Sequence, residues 1–267
     1  MRAFLALLFI ALGQMTASAR ADVIRLYAAG SLRAALTEIA QAFGTESGNT
    51  VQLKFGPSGL LKDEIGGGAA ADVFASANME HPQALHAMAK SGPVRMFARN
   101  KLCALVRPGL ATDSASLLAA MLDPAVKLGI STPKSDPSGD YAFEVFRKAE
   151  IIRPGAQAAL EKKALQLMER TDSPQPPEGE TIYGWNVATG RADIFLAYCT
   201  ATRDAAKQHP EQRIVELPDA LSVGADYGLT VITGAPPAAT QFAEFILGEP
   251  AQRIFGRYGF EPPTQSR

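Results

Sequence analysis

Ser31, Ser58 and Ser138 each follow a short apolar run and precede an amphipathic one. The segments are Val23-Ile24-Arg25-Leu26-Tyr27-Ala28-Ala29-Gly30-Ser31, Val51-Gln52-Leu53-Lys54-Phe55-Gly56-Pro57-Ser58-Gly59, and Lys127 to Thr132 followed by Pro133 to Pro137 and Ser138-Gly139-Asp140-Tyr141. The shared pattern is strand, small-residue turn, helix. A helix start carries unpaired backbone N–H groups and partial positive charge, so several starts meeting at one place form an anion seat that needs no lysine or arginine. Each hydroxyl has a second possible role, capping its own helix. Gly56 and Gly59 beside Ser58 permit close backbone approach, which weights that turn toward ligand contact. Tyr198 ends the strand Ile194-Phe195-Leu196-Ala197-Tyr198 and can present its hydroxyl to the same place. Thr181, just before the helix-like run Ile182–Thr189, can add one more N–H or hydroxyl.

Catalysis finds weaker support in the same residues. Gly56-Pro57-Ser58-Gly59-Leu60 departs from the G-x-S-x-G nucleophile elbow at its last position. A periplasmic serine hydrolase using Ser58 would also need a base. His81 and His209 each precede proline, and His86 sits inside a helix-like run, which are surface or capping positions. The sequence contains no H-E-x-x-H, C-x-x-C or acidic metal-loop spacing, and no motif that calls for a cofactor. Arg33, in the first turn after Ser31, reads as a solvated helix residue. Asp140 reads the same way, with a complementary charge at a helix start.

The elements that must position these residues alternate regularly. Strand Val23–Ala29 leads to helix Leu32–Phe43, strand Val51–Phe55 to helix Gly59–Ile65, and strand Asp72–Ala75 to helix Pro82–Lys90. Such β-α-β alternation predicts a parallel sheet flanked by helices, with ligands outside the carboxyl ends of the strands. After Val94–Ala98 and Leu102–Val106 a second block begins. It holds helix Ser116–Leu122, strand Lys127–Thr132, helices Tyr141–Lys148 and Pro154–Arg170, and strands Ile194–Cys199 and Leu229–Ile232. We expect lobe 1 to comprise residues 22–98 plus 234–267, lobe 2 residues 99–233, and a cleft to lie between them. The C-terminal helices Ala238–Leu247 and Ala251–Tyr258 are expected to pack back on the first lobe. The stretch 171–179, with three prolines and a glycine, excludes helix and central strand and reads as an exposed loop at the cleft rim.

Bulk properties narrow the class. Arg2, the apolar run Leu5 to Gly13 and the small residues ending at Ala21 read as an export signal over residues 1–21, cleaved near Ala21. The run is too short to span a membrane, and no cysteine follows it to carry a lipid. Removing Arg2 and Arg20 turns the net charge of −1 into −3, so no basic field favours nucleic acid or membrane insertion. Cys103 and Cys199 are either two buried thiols or, in an oxidising compartment, one disulfide closing a long loop.

Tyr27-Ala28-Ala29-Gly30-Ser31-Leu32, Phe55-Gly56-Pro57-Ser58-Gly59, Ala71-Asp72-Val73-Phe74-Ala75-Ser76-Ala77-Asn78 and Arg257-Tyr258-Gly259-Phe260 together resemble the periplasmic molybdate-binding proteins of ABC importers, from about residue 24 to 262. The resemblance implies a two-lobed type II periplasmic binding protein, each lobe a mixed, mostly parallel sheet flanked by helices. It further implies a non-enzymatic carrier that takes molybdate or tungstate to an ABC transporter permease without a cofactor, and a monomer is the simplest form for a carrier that must dock on a permease. Position by position, it makes Ser31, Ser58, Ser138, Tyr198 and a backbone N–H at Glu180 or Thr181 the oxyanion ligands. Ser138 stands where an alanine N–H commonly serves, Gly30 where a non-glycine residue is usual and Asn78 where aspartate is usual. Sulfate or phosphate on the same scaffold is the alternative.

Overall fold

The computed structural model describes residues 22–168 and 174–263. The expected signal segment, residues 169–173 of the proline-rich region and residues 264–267 lie outside the described residues. In chain order the strands are β1 (Val23–Ala29), β2 (Thr50–Gly56), β3 (Val73–Ser76), β4 (Arg95–Val106), β5 (Leu128–Ser131), β6 (Leu165–Met168), β7 (Ile194–Tyr198), β8 (Arg213–Glu216) and β9 (Gly224–Val231). The helices are α1 (Arg33–Ser47), α2 (Ser58–Gly66), α3 (Glu80–Ala87), α4 (Leu117–Leu122), α5 (Pro137–Ile152), α6 (Ala156–Lys163), α7 (Ile182–Ala188), α8 (Cys199–Gln208), α9 (Pro237–Leu247) and α10 (Glu249–Arg257).

The alternation of the first third folds as expected. β1 runs parallel to β2 on one side and to β3 on the other, burying Ile24, Leu26 and Ala28. Buried Asp72 ties the start of β3 to β1, accepting the Arg25 amide at 2.7 Å and its guanidinium at 2.9 Å. α1 lays Ala35, Leu36, Ile39, Ala40 and Phe43 on the sheet, the apolar stripe that its helical spacing requires. Its outer end receives α9 and α10, with the Phe43 ring 5.0 Å from Phe242 and 5.5 Å from Phe245.

The two sheets are joined through β4. Its first half pairs antiparallel with β9, and its second half with β7 and β8. The sequence reading broke this strand at the polar triplet Arg99-Asn100-Lys101. In the fold each of the three has a cross-strand or buried partner, so the polarity does not interrupt the ladder. Arg99 pairs with Asp226 at 2.7 Å, Lys101 with Glu216 at 3.3 Å, and buried Asn100 donates to Thr200 at 2.8 Å. The second correction concerns β9. The strand expected in the second block as Leu229–Ile232 runs from Gly224 to Val231 and pairs antiparallel with β3 and the first half of β4.

Three further differences follow from local chemistry. The long helix expected over Pro154–Arg170 ends at Lys163, whose ammonium binds the carbonyls of Met121 at 2.8 Å and Asp123 at 2.5 Å, and the chain turns into β6 parallel to β5. The short strand β8, absent from the sequence reading, adds to β4. The strand expected to include Cys199 stops at Tyr198, and α8 begins there. Cys103 on β4 and Cys199 at the head of α8 form a disulfide with Cα atoms 4.8 Å apart. Sequence alone left that pairing open because the 96-residue separation says nothing of the distance in space.

Candidate functional site

A cleft of about 900 Å³ opens where the carboxyl ends of β1, β2 and β7 meet the starts of α1, α2 and α7. This is within the usual small-molecule range of roughly 300–1,000 Å³. Ser31, Ser58, Thr181 and Tyr198 all line it. Ser138 does not belong to the lining, although its neighbour Asp136 does.

Ser31 lies in a short 3₁₀ turn, Gly30–Leu32, that leads from β1 into α1, and its hydroxyl caps neither helix. Instead its Oγ sits 3.0 Å from the Tyr227 hydroxyl. Tyr227, buried on β9, accepts the Asn100 amide at 3.3 Å, and the same amide donates to Thr200 at 2.8 Å. Burial raises the Tyr227 phenol above its ordinary pKa, which keeps it a neutral donor. Either hydroxyl of this pair can donate; in the arrangement in which Tyr227 donates to Ser31, the Ser31 proton is left for the cleft. Sequence inspection missed Tyr227, Asn100 and Thr200 because they come from three separate elements.

Ser58 opens α2 and is 1% exposed. Its Oγ accepts the Ala77 N–H at 3.0 Å, so its own proton is free to serve a ligand. Gly59 differs from expectation in a specific way. Its N–H donates to the Ser135 carbonyl at 3.1 Å, and a Cβ there would collide with the Lys134 carbonyl. The glycine thus serves close approach of the opposing loop. Tyr198, 1% exposed at the end of β7, donates across the cleft to the Ala77 carbonyl at 3.3 Å. The backbone of Ala77 therefore engages both residues, its N–H going to Ser58 and its carbonyl receiving Tyr198. Burial raises the Tyr198 phenol well above its ordinary pKa as well.

On the second wall the Ser138 and Thr181 N–H groups are already used. Asp136 is the N-cap of α5 and accepts the Ser138 N–H at 3.0 Å, the group expected to face the ligand. Ser138 Oγ is fully buried and finds no hydrogen-bond partner among the described residues. Gly139 packs so tightly on the Ser131 carbonyl that any side chain would clash. Asp-Pro-Ser-Gly at a helix start, a capping residue followed by proline at the first helical position, was the signal available for Asp136. Asp140, weighed instead as a solvated residue, is partly buried and accepts the Lys134 N–H at 2.9 Å. Thr181 caps α7, its Oγ1 accepting the Gly184 N–H at 3.3 Å, while its own N–H donates to Gln208 at 2.7 Å. Gln175, Pro176, Gly179 and Glu180 bring the proline-rich region to the rim, as expected. Arg33 also lines the cleft, its guanidinium 4.6 Å above the Phe55 ring. Among the described residues that line the cleft there is no histidine.

Two α/β sheets sharing a crossing strand, with a cleft between them, define a solute-binding protein of the type II periplasmic fold. Residues 24–261 match the family described as bacterial extracellular solute-binding protein, and the chain belongs to that family. Its members are substrate-binding proteins, so this chain is a binder and not an enzyme. It is 34% identical to an uncharacterized protein of Pasteurella multocida over 79% of this chain and 87% of that one. It is 27% identical to the molybdate-binding protein ModA of Escherichia coli, covering 89% of this chain and 88% of that one. The periplasmic molybdate-binding protein of Azotobacter vinelandii superposes with a TM-score of 0.71 at 19% identity, covering 90% of this chain and all of the other. No helix among the described residues is long and apolar enough to cross a membrane.

Proposed function

We propose that the protein captures a tetrahedral oxyanion, molybdate or tungstate, in the periplasm and hands it to the permease of an ABC importer, with residues 1–21 as its export signal. The observation that carries this reading is the convergence of Ser31 and Ser58 on one cleft, Ser58 with its acceptor side occupied by the Ala77 N–H and Ser31 backed by the Tyr227 hydroxyl. Hydroxyls so arranged offer hydrogen bonds to an anion without a counter-charge. Hydrogen bonds to a charged group contribute about 1.5–3 kcal/mol each. A handful of them offsets the cost of association and leaves micromolar or tighter binding. The relationship to molybdate-binding proteins of other bacteria supports the choice of anion.

The test uses Trp185, the lone tryptophan, which lies on α7 one turn beyond Thr181 and under the Arg191 guanidinium at 4.4 Å. Molybdate or tungstate at micromolar concentration is expected to change its fluorescence and to raise the melting temperature. At a ligand concentration 100 times Kd the stabilisation is about 2.7 kcal/mol. Absence of both signals at millimolar concentration would reject these two anions.

A further inference from the structure

Asp136 stands in the cleft wall beside Ser58: the adjacent Ser135 carbonyl accepts the Gly59 N–H at 3.1 Å, and Asp136, Ser58, Ala77 and Tyr198 share the cleft lining. It is 9% exposed and occupies the helix start that an anion would otherwise occupy, holding the Ser138 N–H. An ionised carboxylate in that position repels a dianion, and a buried like-charge pair is stable only when a proton is shared between its members. We propose, building on the oxyanion reading above, that the site binds its oxyanion together with one proton held between the Asp136 carboxyl and a ligand oxygen. Hydrogen phosphate brings that proton itself. A fully ionised dianion such as molybdate or sulfate takes it from the medium, through Asp136.

The surroundings of Asp136 favour this. Burial raises its pKa above the usual carboxylate range, opposed by the Ser138 N–H and the Ser131 hydroxyl from β5, and Asp140 on the same helix raises it further. Tyr198 from β7, in the same lining, and Tyr227 from β9 are phenols that burial keeps neutral. Among the described residues the other charged groups lining the cleft are Arg33 on α1, Asp204 and Lys207 on α8, and Glu180 before α7. Lys134 precedes Asp136 in its own loop, and its amide engages Asp140.

The experiment is calorimetric titration of the full chain and of Asp136→Asn with molybdate, sulfate and phosphate between pH 5.5 and 8.5, in two buffers of different ionisation enthalpy. Asparagine keeps an oxygen to accept the Ser138 N–H, and melting curves check the fold. For the parent protein, molybdate or sulfate binding is expected to consume close to one buffer proton at the upper end of the range. Its affinity is expected to fall as much as tenfold per pH unit above the Asp136 titration. Asp136→Asn is expected to bind the same anion with no proton uptake and no such slope. Binding by Asp136→Asn where the parent protein fails would support the same conclusion. Dianion binding by the parent protein with no proton uptake, on a profile matching Asp136→Asn, would overturn it while leaving the oxyanion reading intact. Failure of both proteins to bind any of the three anions would overturn both.

Discussion

The wall built on β1 and α2 meets the cleft with hydroxyls backed by the protein, whereas the wall built on α5 and α7 meets it with N–H groups already donated. Ser31 rests on Tyr227 and Ser58 on the Ala77 N–H. Ser138 N–H goes to Asp136 and Thr181 N–H to Gln208. On the first wall the Gly59 N–H is also donated, to the Ser135 carbonyl, but the Ser58 hydroxyl keeps its own proton. On the oxyanion reading proposed above, the N–H groups of the second wall would exchange an internal partner for the ligand, and discrimination between anions would lie there.

Four outcomes sharpen or break that contrast. The largest effect falls on the second wall, whose β4 and α8 are joined at the disulfide beside Tyr198. A Cys103→Ser, Cys199→Ser double variant is expected to lose up to about 4–5 kcal/mol of stability for a loop of this length, measured by denaturant unfolding. An unchanged midpoint would show that packing alone holds this wall.

Ser58→Ala removes a donor to the ligand and leaves the buried Ala77 N–H unpaired. Affinity for the oxyanion is expected to fall roughly 10- to 150-fold, with a stability loss of about 1–3 kcal/mol. Equal affinity in parent and variant would place the anion elsewhere.

Tyr227→Phe leaves Ser31 in place and takes away the hydroxyl behind it. The expected loss is about fivefold in affinity, equivalent to roughly 1 kcal/mol. Titration in parallel with Ser31→Ala tests the coupling: if the relay operates, the double variant loses less than the two single losses combined. Full additivity would break the relay.

Gln208→Ala should have the smallest effect. It frees the Thr181 N–H, so affinity is expected to stay within about twofold of the parent or to rise, with stability within roughly 0.5 kcal/mol. A clear drop in affinity would mean that Gln208 is a direct ligand contact and that the second wall is not self-satisfied.

The fold was legible where periodicity and turn chemistry agree. β1, α1, β2 and α2 follow directly from alternating and helical apolar spacing, and the Ser-Gly turns marked the starts of α2 and α5. It was illegible where long-range partners override local composition. Arg99, Asn100 and Lys101 look like a break between two strands until Asp226, Thr200 and Glu216 are brought opposite them. The antiparallel placement of β9 next to β3 is a topological fact that carries no local signature. At the cleft, Ser31, Ser58, Thr181 and Tyr198 were found because each stands at a strand end or a helix start. Tyr227 escaped because it is a mid-strand aromatic, indistinguishable by spacing from any core residue. Asp136 escaped because Asp140, four residues later, offered the more obvious charge at the same helix start.

The central claim is that neutral donors between the two sheets hold one tetrahedral oxyanion, and its most direct test is calorimetric titration of the protein at pH 6.5 with molybdate, tungstate, sulfate and phosphate. The account predicts one site per chain, micromolar or tighter for molybdate or tungstate, with the heat greatly reduced in Ser58→Ala. No binding of any of the four at millimolar concentration, or binding that Ser58→Ala leaves untouched, would contradict it.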